Sequence, residues 1–345
     1  MMLGISVDSV RRDTDEAGID VQRQGGDGPK TRLFSADNIF ALAAYRARKY
    51  GLRTNRQLIF TIYAPKGGVG KTTKASNIAC ALSLRGFRVL VVDLDFQANL
   101  TIALGYDPEL EHEEALELKL PEDLCVDYHL GHLLPQWPDG RVKLEQVLKK
   151  PYGEHGPHLI PADVTLDRIE ALFTLDMLMN KKPDLAIARL LAEGRSGKNS
   201  DFDLSGYDIV LFDAPPAKNQ LTRGALLASD YVVSPVSLEK YSTKSVSYLA
   251  GVLTEMQAEH NKFPELVILG NFYDMRRARV AGQVVALNTK YPGAWLEKQV
   301  ATSEEFKKAL DDEEMMPLVL SRPNTSAAEQ LRAVTQALIE RMALV

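Results

Sequence analysis

One short segment limits the possible folds of this chain more than any other. An apolar run, residues 58–63, is followed by a glycine-rich loop and then by an apolar-periodic helix that begins near Thr72. The loop reads Lys66, Gly67, Gly68, Val69, Gly70, Lys71, Thr72, Thr73. Glycines let backbone N–H groups curl around phosphates, and a helix N-terminus adds partial positive charge. The segment therefore predicts a phosphate-binding loop between a strand and a helix, with Lys71 on the terminal phosphates and the Thr72 hydroxyl on Mg²⁺.

The composition is that of an ordinary globular protein. The 345 residues are 45% apolar and 25% charged, which is enough for one large α/β domain or two smaller ones. The net charge of −5 gives no overall attraction to nucleic acid, so such binding would need a local patch. Cys80 and Cys125 are too few for a disulfide framework, and no run is long enough for a membrane span or a secretory signal. We therefore expect a cytoplasmic protein with reduced thiols.

Further short apolar runs follow the loop and are separated by helical patterns. They lie at residues 88–92, 208–212, 231–235 and 266–270. Continuous apolar strands of this kind are typical of a parallel sheet buried on both faces. The sequence thus predicts an α/β fold, a mostly parallel twisted sheet with helices on both faces. Ligands bind such sheets at the carboxyl ends of strands, where Lys71, Asp93 and Asp213 all fall.

The beginning of the chain has a different character. Residues 1–30 are polar, close with a glycine-rich stretch and predict a flexible tail. Residues 31–57 predict a basic N-terminal arm with one helix, capped by Ser35 and ended by Gly51. Seven basic residues and one acid between Lys30 and Arg56 give a charge of +6. Two interpretations stay open: the charge complements the helix dipole, or the arm contacts DNA or a dimer partner.

Aspartates at two strand ends add the groups that phosphate chemistry needs. Asp213 is followed by Ala-Pro-Pro, while Asp93 and Asp95 follow another strand. Phosphoryl transfer to water needs a held Mg²⁺, a positioned water and positive charge on the transition state. Aspartates at such positions also cap turns. Both interpretations therefore stay open for these three residues.

Together these motifs resemble the ParA/MinD family of deviant Walker A ATPases, most closely the partition ParA proteins. Pro65 stands where the ordinary phosphate loop has glycine, and Lys66 beside it matches the second lysine of the family. The segments that begin at Asp93 and Asp213 resemble the family's Asp-x-Asp-x-Gln switch and Asp-x-Pro-Pro segment. The resemblance implies one ATPase domain over residues 58–345.

The resemblance also implies cofactors and roles. ATP and Mg²⁺ would bind, and ATP would be hydrolysed slowly to ADP and phosphate. Lys66 would reach across a dimer to the partner's nucleotide and act in catalysis with Lys71, while Asp95 would position the attacking water. Residues 66–73 would hold the nucleotide, and Asn271 would contact the adenine. The metal would be supported by Thr72, Asp93 and Asp213.

Partners are implied in the same way: a homodimer on ATP binding, non-specific DNA, association with the nucleoid and a ParB-like centromere-binding protein. The DNA contacts would come from Arg276, Arg277, Arg279, Lys307, Lys308 and Arg322. Two other functions stay open, a positioning ATPase for a protein cargo and a nucleotide-switched DNA-binding regulator. No membrane partner is expected, because the helix that starts near Glu329 carries acids and an apolar face suited to a core. The one helix predicted before residue 58 is too short for a helix-turn-helix.

Overall fold

The computed structural model describes residues 2–25, 31–52, 54, 56–238, 242–274, 278–310 and 316–344. The strands in these ranges are β1 (Gln22–Gln24), β2 (Thr31–Leu33), β3 (Leu58–Ile62), β4 (Val89–Asp93), β5 (His158–Ile160), β6 (Ile209–Asp213), β7 (Tyr231–Val236), β8 (Glu265–Tyr273) and β9 (Val300–Ala301). The helices are α1 (Val7–Ala17), α2 (Ala36–Lys49), α3 (Lys71–Ser83), α4 (Asn99–Ala103), α5 (His112–Leu118), α6 (Leu144–Val147), α7 (Arg168–Leu178), α8 (Ala186–Arg195), α9 (Gln220–Ala228), α10 (Ser242–His260), α11 (Ala278–Lys290), α12 (Glu305–Leu310), α13 (Leu318–Ser321) and α14 (Ser326–Arg341). Short 3-10 turns lie at Glu122–Leu124, Leu130–Leu133, Val164–Asp167 and Pro183–Leu185.

Seven strands form one sheet in the order β5-β4-β6-β3-β7-β8-β9, and each neighbouring pair is parallel. The central strands β3, β4 and β6 are buried along their whole length. This is the burial that continuous apolar strands require, because helices cover both faces of a parallel sheet. The predicted mostly parallel α/β sheet is confirmed.

Alternate residues of a central strand contact different layers of helices. In β4, Val89 and Val91 belong to an apolar cluster that includes α3 and α14. Leu90 and Val92 belong to a second cluster that includes α7 and α8. Each buried side chain of this size stabilises the fold by about 1.5–3 kcal/mol. The two clusters hold the carboxyl edge of the sheet rigidly, and that edge carries the candidate site.

The C-terminal helix α14 packs on the core as predicted. Three residues of the helix and the residue after it form one buried apolar row, made of Leu331, Val334, Leu338 and Met342. This row is therefore not a surface for a bilayer. In the part of the chain that the structure describes, none of the helices combines the length and the apolarity needed to cross a membrane.

Residues 2–25 and 31–52 form a helix, a two-stranded ribbon and a second helix, which we call the N-terminal unit. Helix α1 is capped by Ser6, whose hydroxyl accepts from the N–H of Ser9 at 3.2 Å, and is followed by Gly18 at φ 66°. Strands β1 and β2 pair antiparallel. The prediction of a flexible tail over residues 1–30, with only one helix before residue 58, is corrected for the described residues, since they hold α1 and β1.

One buried carboxylate joins α1 to α2. The side chain of Asp13 is fully buried; it accepts from Lys49 Nζ at 3.0 Å and Arg12 Nε at 3.2 Å, and it pairs with Arg46. Burial acts to raise the pKa of Asp13, but these cations hold it below its usual range. Arg46 and Lys49 come from 33 and 36 residues along the chain, so no local pattern reveals the pairs. The basic end of α2 is thus neutralised within the unit.

Helix α2 also packs directly on the rest of the chain. The predicted cap is present, because the Ser35 hydroxyl accepts from the N–H of Asn38 at 3.1 Å. Phe40 is buried and stacks on Tyr152 with ring centroids 5.6 Å apart. These contacts favour a structural role for the arm over one in which its charge lies free. The division of the chain at residue 58 stays a prediction.

Candidate functional site

The phosphate loop joins the carboxyl end of β3 to the first turn of α3. Gly68 and Gly70 have φ of 70° and 77°, in the left-handed region that glycine adopts without steric cost. Gly70 is also crowded, since a Cβ there would lie 2.7 Å from Nδ2 of Asn271. As the N-cap of α3, Gly70 supplies no side-chain hydrogen bond to the helix. The first N–H groups of α3 therefore remain for an anion, as the loop sequence predicts.

A cavity of about 460 Å³ opens at this loop. Its size is suited to a bound nucleotide. Sequence motifs predicted part of the lining, namely Gly67, Gly68, Gly70, Lys71, Thr72, Thr73 and Asp95. The unpredicted part is Ser76, Asn77, Asn99, Ile102, Ala103, Pro216, Phe306, Ala309, Met316, Pro317 and Leu318. Helical spacing from Thr73 could have revealed Ser76 and Asn77, whereas the residues after 300 carry no local signal.

Asp213 and Thr72 meet beside Lys71. The Thr72 hydroxyl donates to Oδ2 of Asp213 over 2.7 Å. Asp213 is 2% exposed, and its Oδ1 has no hydrogen-bond partner in the described structure. Burial and then the charge of Asp93 raise the pKa of Asp213 to about 8, while Thr72 and Lys71 act in the opposite direction. A buried carboxylate oxygen without a partner is costly, so this atom points to a missing ligand.

Mg²⁺ fits this donor set. The ion prefers oxygen ligands and commonly binds through one or two carboxylates together with phosphate oxygens. Asp213 Oδ1 lies at the phosphate loop beside the Thr72 hydroxyl, which meets that preference. A divalent cation there would also stabilise the charged form of Asp213.

Lys71 begins α3 and is largely buried. Burial lowers the pKa of Lys71, while the charges of Asp213 and Asp95 oppose that shift. Phosphate groups in the cavity would act in the same direction as these carboxylates. The position is therefore electrostatically suited to an anionic ligand.

Asp93 differs from Asp213 because its oxygens already accept hydrogen bonds. Its Oδ2 accepts from the N–H and the hydroxyl of Thr101, each at 2.9 Å, and its Oδ1 accepts from the N–H of Asp95 at 3.1 Å. Burial raises the pKa of Asp93 to about 6. These contacts brace the loop after β4, and they do not support the predicted metal role for Asp93.

Asp95 lies on that braced loop and lines the cavity. Its side chain is half-buried, and its Oδ1 accepts from the N–H of Gln97 at 3.1 Å. The loop then turns into α4 through Ala98, which has a left-handed φ of 51°. The structure therefore brings Asp95 to the same cavity as Lys71 and Thr72, as predicted.

Lys66 lies on another side of the loop. It is half-buried and lines a small separate void with Ser234, Pro235 and Val236 of β7. It is absent from the lining of the cavity that contains Lys71. Within one subunit the two lysines of the motif are thus separated.

Asn271 has a contact different from the predicted one. It lies inside β8, which extends three residues beyond the end of the predicted strand, and it is fully buried. Its Nδ2 donates to the carbonyl oxygen of Val69 at 2.7 Å. Asn271 thus supports the phosphate loop from behind through its amide nitrogen, while its Oδ1 has no hydrogen-bond partner among the described residues. Its contact with adenine stays a prediction.

Two further residues brace the site and carry no sequence motif. Thr101 holds Asp93 and also accepts from the N–H of Ala162 at 2.9 Å. Glu170 on α7 accepts from the first N–H groups of α9, those of Gln220 at 3.1 Å and Leu221 at 2.8 Å. Helix α9 follows the Asp213 loop, so Glu170 fixes the chain after the candidate metal ligand.

Of the six residues predicted to contact DNA, the structure describes four, and three of these lie at or near α12. Arg276 and Arg277 lie outside the described residues, and Arg279 is exposed at the start of α11. On α12, Lys307 pairs with Glu304 at 3.1 Å and Lys308 with Glu305 at 2.8 Å. Arg322 also pairs with Glu305, at 3.0 Å. The basic side chains near α12 are therefore balanced by acids of the same surface.

Comparisons with known proteins agree with this geometry. Residues 57–266 match the model of the AAA domain family AAA_31. The chain is 34% identical over 223 residues to the chromosome-partitioning ATPase Soj of Thermus thermophilus, a match that covers 64% of this chain and 71% of Soj. A putative plasmid partition protein of Borrelia burgdorferi B31 bound to AMPPNP has a TM-score of 0.60 at 19% identity, covering 83% of this chain and 100% of that one. Cobyrinic acid a,c-diamide synthase of Mycobacterium smegmatis, with bound ATP analog and magnesium, has a TM-score of 0.62 at 24% identity, covering 83% and 95%.

The fold and the site define a P-loop protein of the deviant Walker A class. The chain belongs to the ParA/MinD family of ATPases, among its partition and positioning members.

Proposed function

We propose that this protein is a ParA-type partition ATPase. ATP and Mg²⁺ would bind at the phosphate loop and join two subunits into a sandwich dimer. The dimer would bind nucleoid DNA without sequence preference. A ParB-like centromere-binding partner would stimulate hydrolysis and so release the dimer, which would segregate a plasmid or chromosome.

The observation that best supports this proposal is the pairing of Thr72 with Asp213 beside Lys71. It leaves one buried carboxylate oxygen without a partner at a phosphate loop. Mg²⁺ bound there would neutralise charge that develops on the phosphate oxygens. Lys71 would hold the terminal phosphates, and Asp95, on its braced loop, would orient the attacking water. Lys66 would add positive charge from the partner subunit, which explains why it does not line the cavity of its own subunit.

Hydrolysis that depends on a trans lysine should require the dimer. Lys66→Ala is expected to reduce ATP turnover by about 10³-fold, by analogy with an arginine finger, while ATP binding persists. The matched control is Lys198→Ala, which removes an exposed lysine from a distant loop. ATPase assays and calorimetric ATP titration separate the two effects. Normal turnover in Lys66→Ala would rule out a catalytic role in trans.

The dimer and its partners need a separate measurement. Asp95→Ala is expected to retain ATP and elute as a dimer, because the attacking water would no longer be positioned. Light scattering with ATP and with ADP measures the mass directly. The wild-type ATPase rate should rise on addition of DNA together with a ParB-like protein. A rate unchanged by both would exclude cargo transport by DNA, and stimulation by a protein-cargo adaptor alone would indicate a positioning ATPase instead.

A further inference from the structure

The cavity has two chemically different ends. At one end lie the phosphate loop and the first turn of α3, with Lys71 and Thr72. At the other end the lining is apolar and comes from the chain after residue 300, through Phe306, Met316 and Pro317. A nucleotide has the same division between a charged phosphate chain and a flat base. The apolar end therefore has the chemistry of a base subsite.

The apolar end is fixed to the phosphate-binding helix. Asn77 on α3 is 2% exposed, and its Oδ1 accepts from the N–H of Val319 at 3.0 Å. Its Nδ2 donates to the carbonyl oxygen of Thr73, one turn earlier, at 2.8 Å. The segment that contains Pro317 is thus held at a set distance from the phosphate loop, so the two ends of the cavity form one rigid site.

A buried lysine lies behind the aromatic wall of this end. Lys74 is 1% exposed, and its Nζ lies 4.7 Å from the ring centroid of Phe306 and 5.9 Å from that of Phe272. Phe306 lines the cavity and Lys74 does not, so the ring separates the amine from the cavity. Phe272 has a left-handed φ of 52°, which is costly for a bulky residue and which persists only where neighbours enforce it.

Burial of this amine is unfavourable by itself. Among the described residues no carboxylate forms an ion pair with Lys74, whereas the faces of the two phenylalanine rings attract its cationic form. The same attraction restrains the Phe306 ring. A core methionine would fill the space at lower cost, so stability does not explain a lysine at this position.

We propose that Phe306 stacks on the base of the bound nucleotide and that Lys74 is the positioning residue that holds the Phe306 ring for this contact. Both assignments rest on the proposed binding of ATP. Base–aromatic stacking is sequence-tolerant and depends on the orientation of the ring. Together the pair would give this chain a base contact beside the one predicted for Asn271.

Calorimetric titration of the full chain with ADP and with inorganic pyrophosphate, both with Mg²⁺, tests the base contact. Phe306→Ala should weaken ADP binding by about tenfold, because loss of base–aromatic stacking typically has an effect of this size. Pyrophosphate binding should not change, and Phe306→Tyr should bind ADP as the wild type does. The matched control, Phe263→Ala, removes a phenylalanine that is 51% exposed and lies before the amino end of β8.

The positioning role of Lys74 is tested with two further variants, Lys74→Met and Lys74→Arg. Lys74→Met should weaken ADP binding about threefold and leave pyrophosphate binding unchanged, an effect smaller than loss of the whole stacking contact. Its melting temperature should rise, because a buried amine is replaced by an apolar side chain, while Lys74→Arg should restore ADP affinity. A merely structural lysine would change stability and affinity in the same direction.

The outcomes test the base contact of Phe306 and the positioning role of Lys74 separately. Unchanged ADP affinity in Phe306→Ala would overturn the base contact. An equal loss for ADP and pyrophosphate would also overturn it, since the defect would then lie in the whole cavity. Unchanged ADP affinity in Lys74→Met would overturn the positioning role alone. If the wild-type chain binds neither ADP nor ATP, the proposed function itself fails.

Discussion

Two buried aspartates, Asp13 in the N-terminal unit and Asp213 at the phosphate loop, experience opposite environments. Asp13 contacts three cationic side chains, and its pKa is lowered in spite of burial. Asp213 accepts one hydrogen bond, from Thr72, keeps one oxygen without a partner among the described residues, and has a raised pKa. Both side chains are shielded from solvent, but Asp13 lies among partly exposed cations, whereas Asp213 lies deep in the core beside Asp93.

The contrast distinguishes a stabilising carboxylate from a ligand-binding one. A buried charge is tolerated when it is paired and hydrogen-bonded, and Asp13 meets that condition within the chain. Asp213 would meet this condition only with a ligand bound. The folded chain without a ligand therefore contains an unfavourable interaction, which binding would relieve. The comparison predicts that the two residues respond to substitution in opposite ways.

The largest expected effect is on activity at Asp213. Asp213→Asn should reduce ATP turnover by about 100-fold, the scale for loss of one electrostatic stabiliser of the transition state. Without nucleotide its melting temperature should equal or exceed that of the wild type, because the substitution replaces a buried carboxyl, whose ionisation burial disfavours, by a neutral amide of similar shape. Steady-state assays and thermal unfolding measure both. A large fall in the melting temperature of Asp213→Asn would show that Asp213 stabilises the fold as Asp13 does. The proposed difference between the two aspartates would then be wrong.

Asp13 should show the reverse. Asp13→Ala leaves Arg46 and Lys49 without their buried partner, and partial exposure of both moderates the loss to about 2 kcal/mol in the stability of the N-terminal unit. Hydrogen exchange over α1 and α2 should rise, and ADP affinity should not change. Lost nucleotide binding in this variant would mean that the unit supports the site directly.

Acid should remove the stabilising contribution of His129 before that of Asp13. Buried His129 has its pKa lowered to about 3 by burial, so the folded state keeps it neutral while the unfolded state binds a proton below about 6.5. Stability from this group is therefore lost as pH falls from 6.5 towards 3, by about 1 kcal/mol at pH 5.5. The lowered pKa of Asp13 gives stability that is lost only as pH falls below about 4, since protonation then removes its ion pairs.

His129→Gln tests this order, with the exposed His155→Gln as control. Chemical denaturation between pH 7 and pH 5 should show a smaller loss of stability in His129→Gln than in the wild type. If the free energy of unfolding falls equally with pH in the wild type and in His129→Gln, groups other than His129 cause the acid sensitivity.

The smallest expected effect is on DNA binding, which compares two surface cations, Lys307 and Arg279. Lys307 is paired with Glu304, so Lys307→Ala should change DNA affinity little. Arg279→Ala should weaken binding to all DNA sequences alike and reduce the slope of log K against log salt by about 1, as expected for one lost phosphate contact. Salt titrations with random-sequence duplexes measure both slopes. A larger loss of DNA affinity in Lys307→Ala than in Arg279→Ala would show that the Lys307–Glu304 pair breaks when DNA binds.

Sequence patterns predicted the elements whose signals are local. The phosphate loop, the strands that end at Asp93 and Asp213 and the apolar row of α14 all follow from spacing over a few residues, and the structure has them there. The error over residues 1–30 has a different cause. Helix α1 is predominantly polar, with Val7, Val10 and Ala17 as its apolar residues, and it buries only Asp13 and Thr14, so its composition resembles that of a disordered segment.

The sequence by itself determined the sheet, the phosphate loop and the family, because backbone geometry and apolar periodicity are encoded by neighbouring residues. Only the tertiary structure decided which carboxylate is satisfied and which is not, since Arg46 reaches Asp13 from 33 residues away and Thr72 reaches Asp213 from 141 residues away. It also brought Phe306 to the cavity across more than two hundred residues from Lys71. Partners that distant are set by packing, and their interactions are therefore invisible in any local pattern.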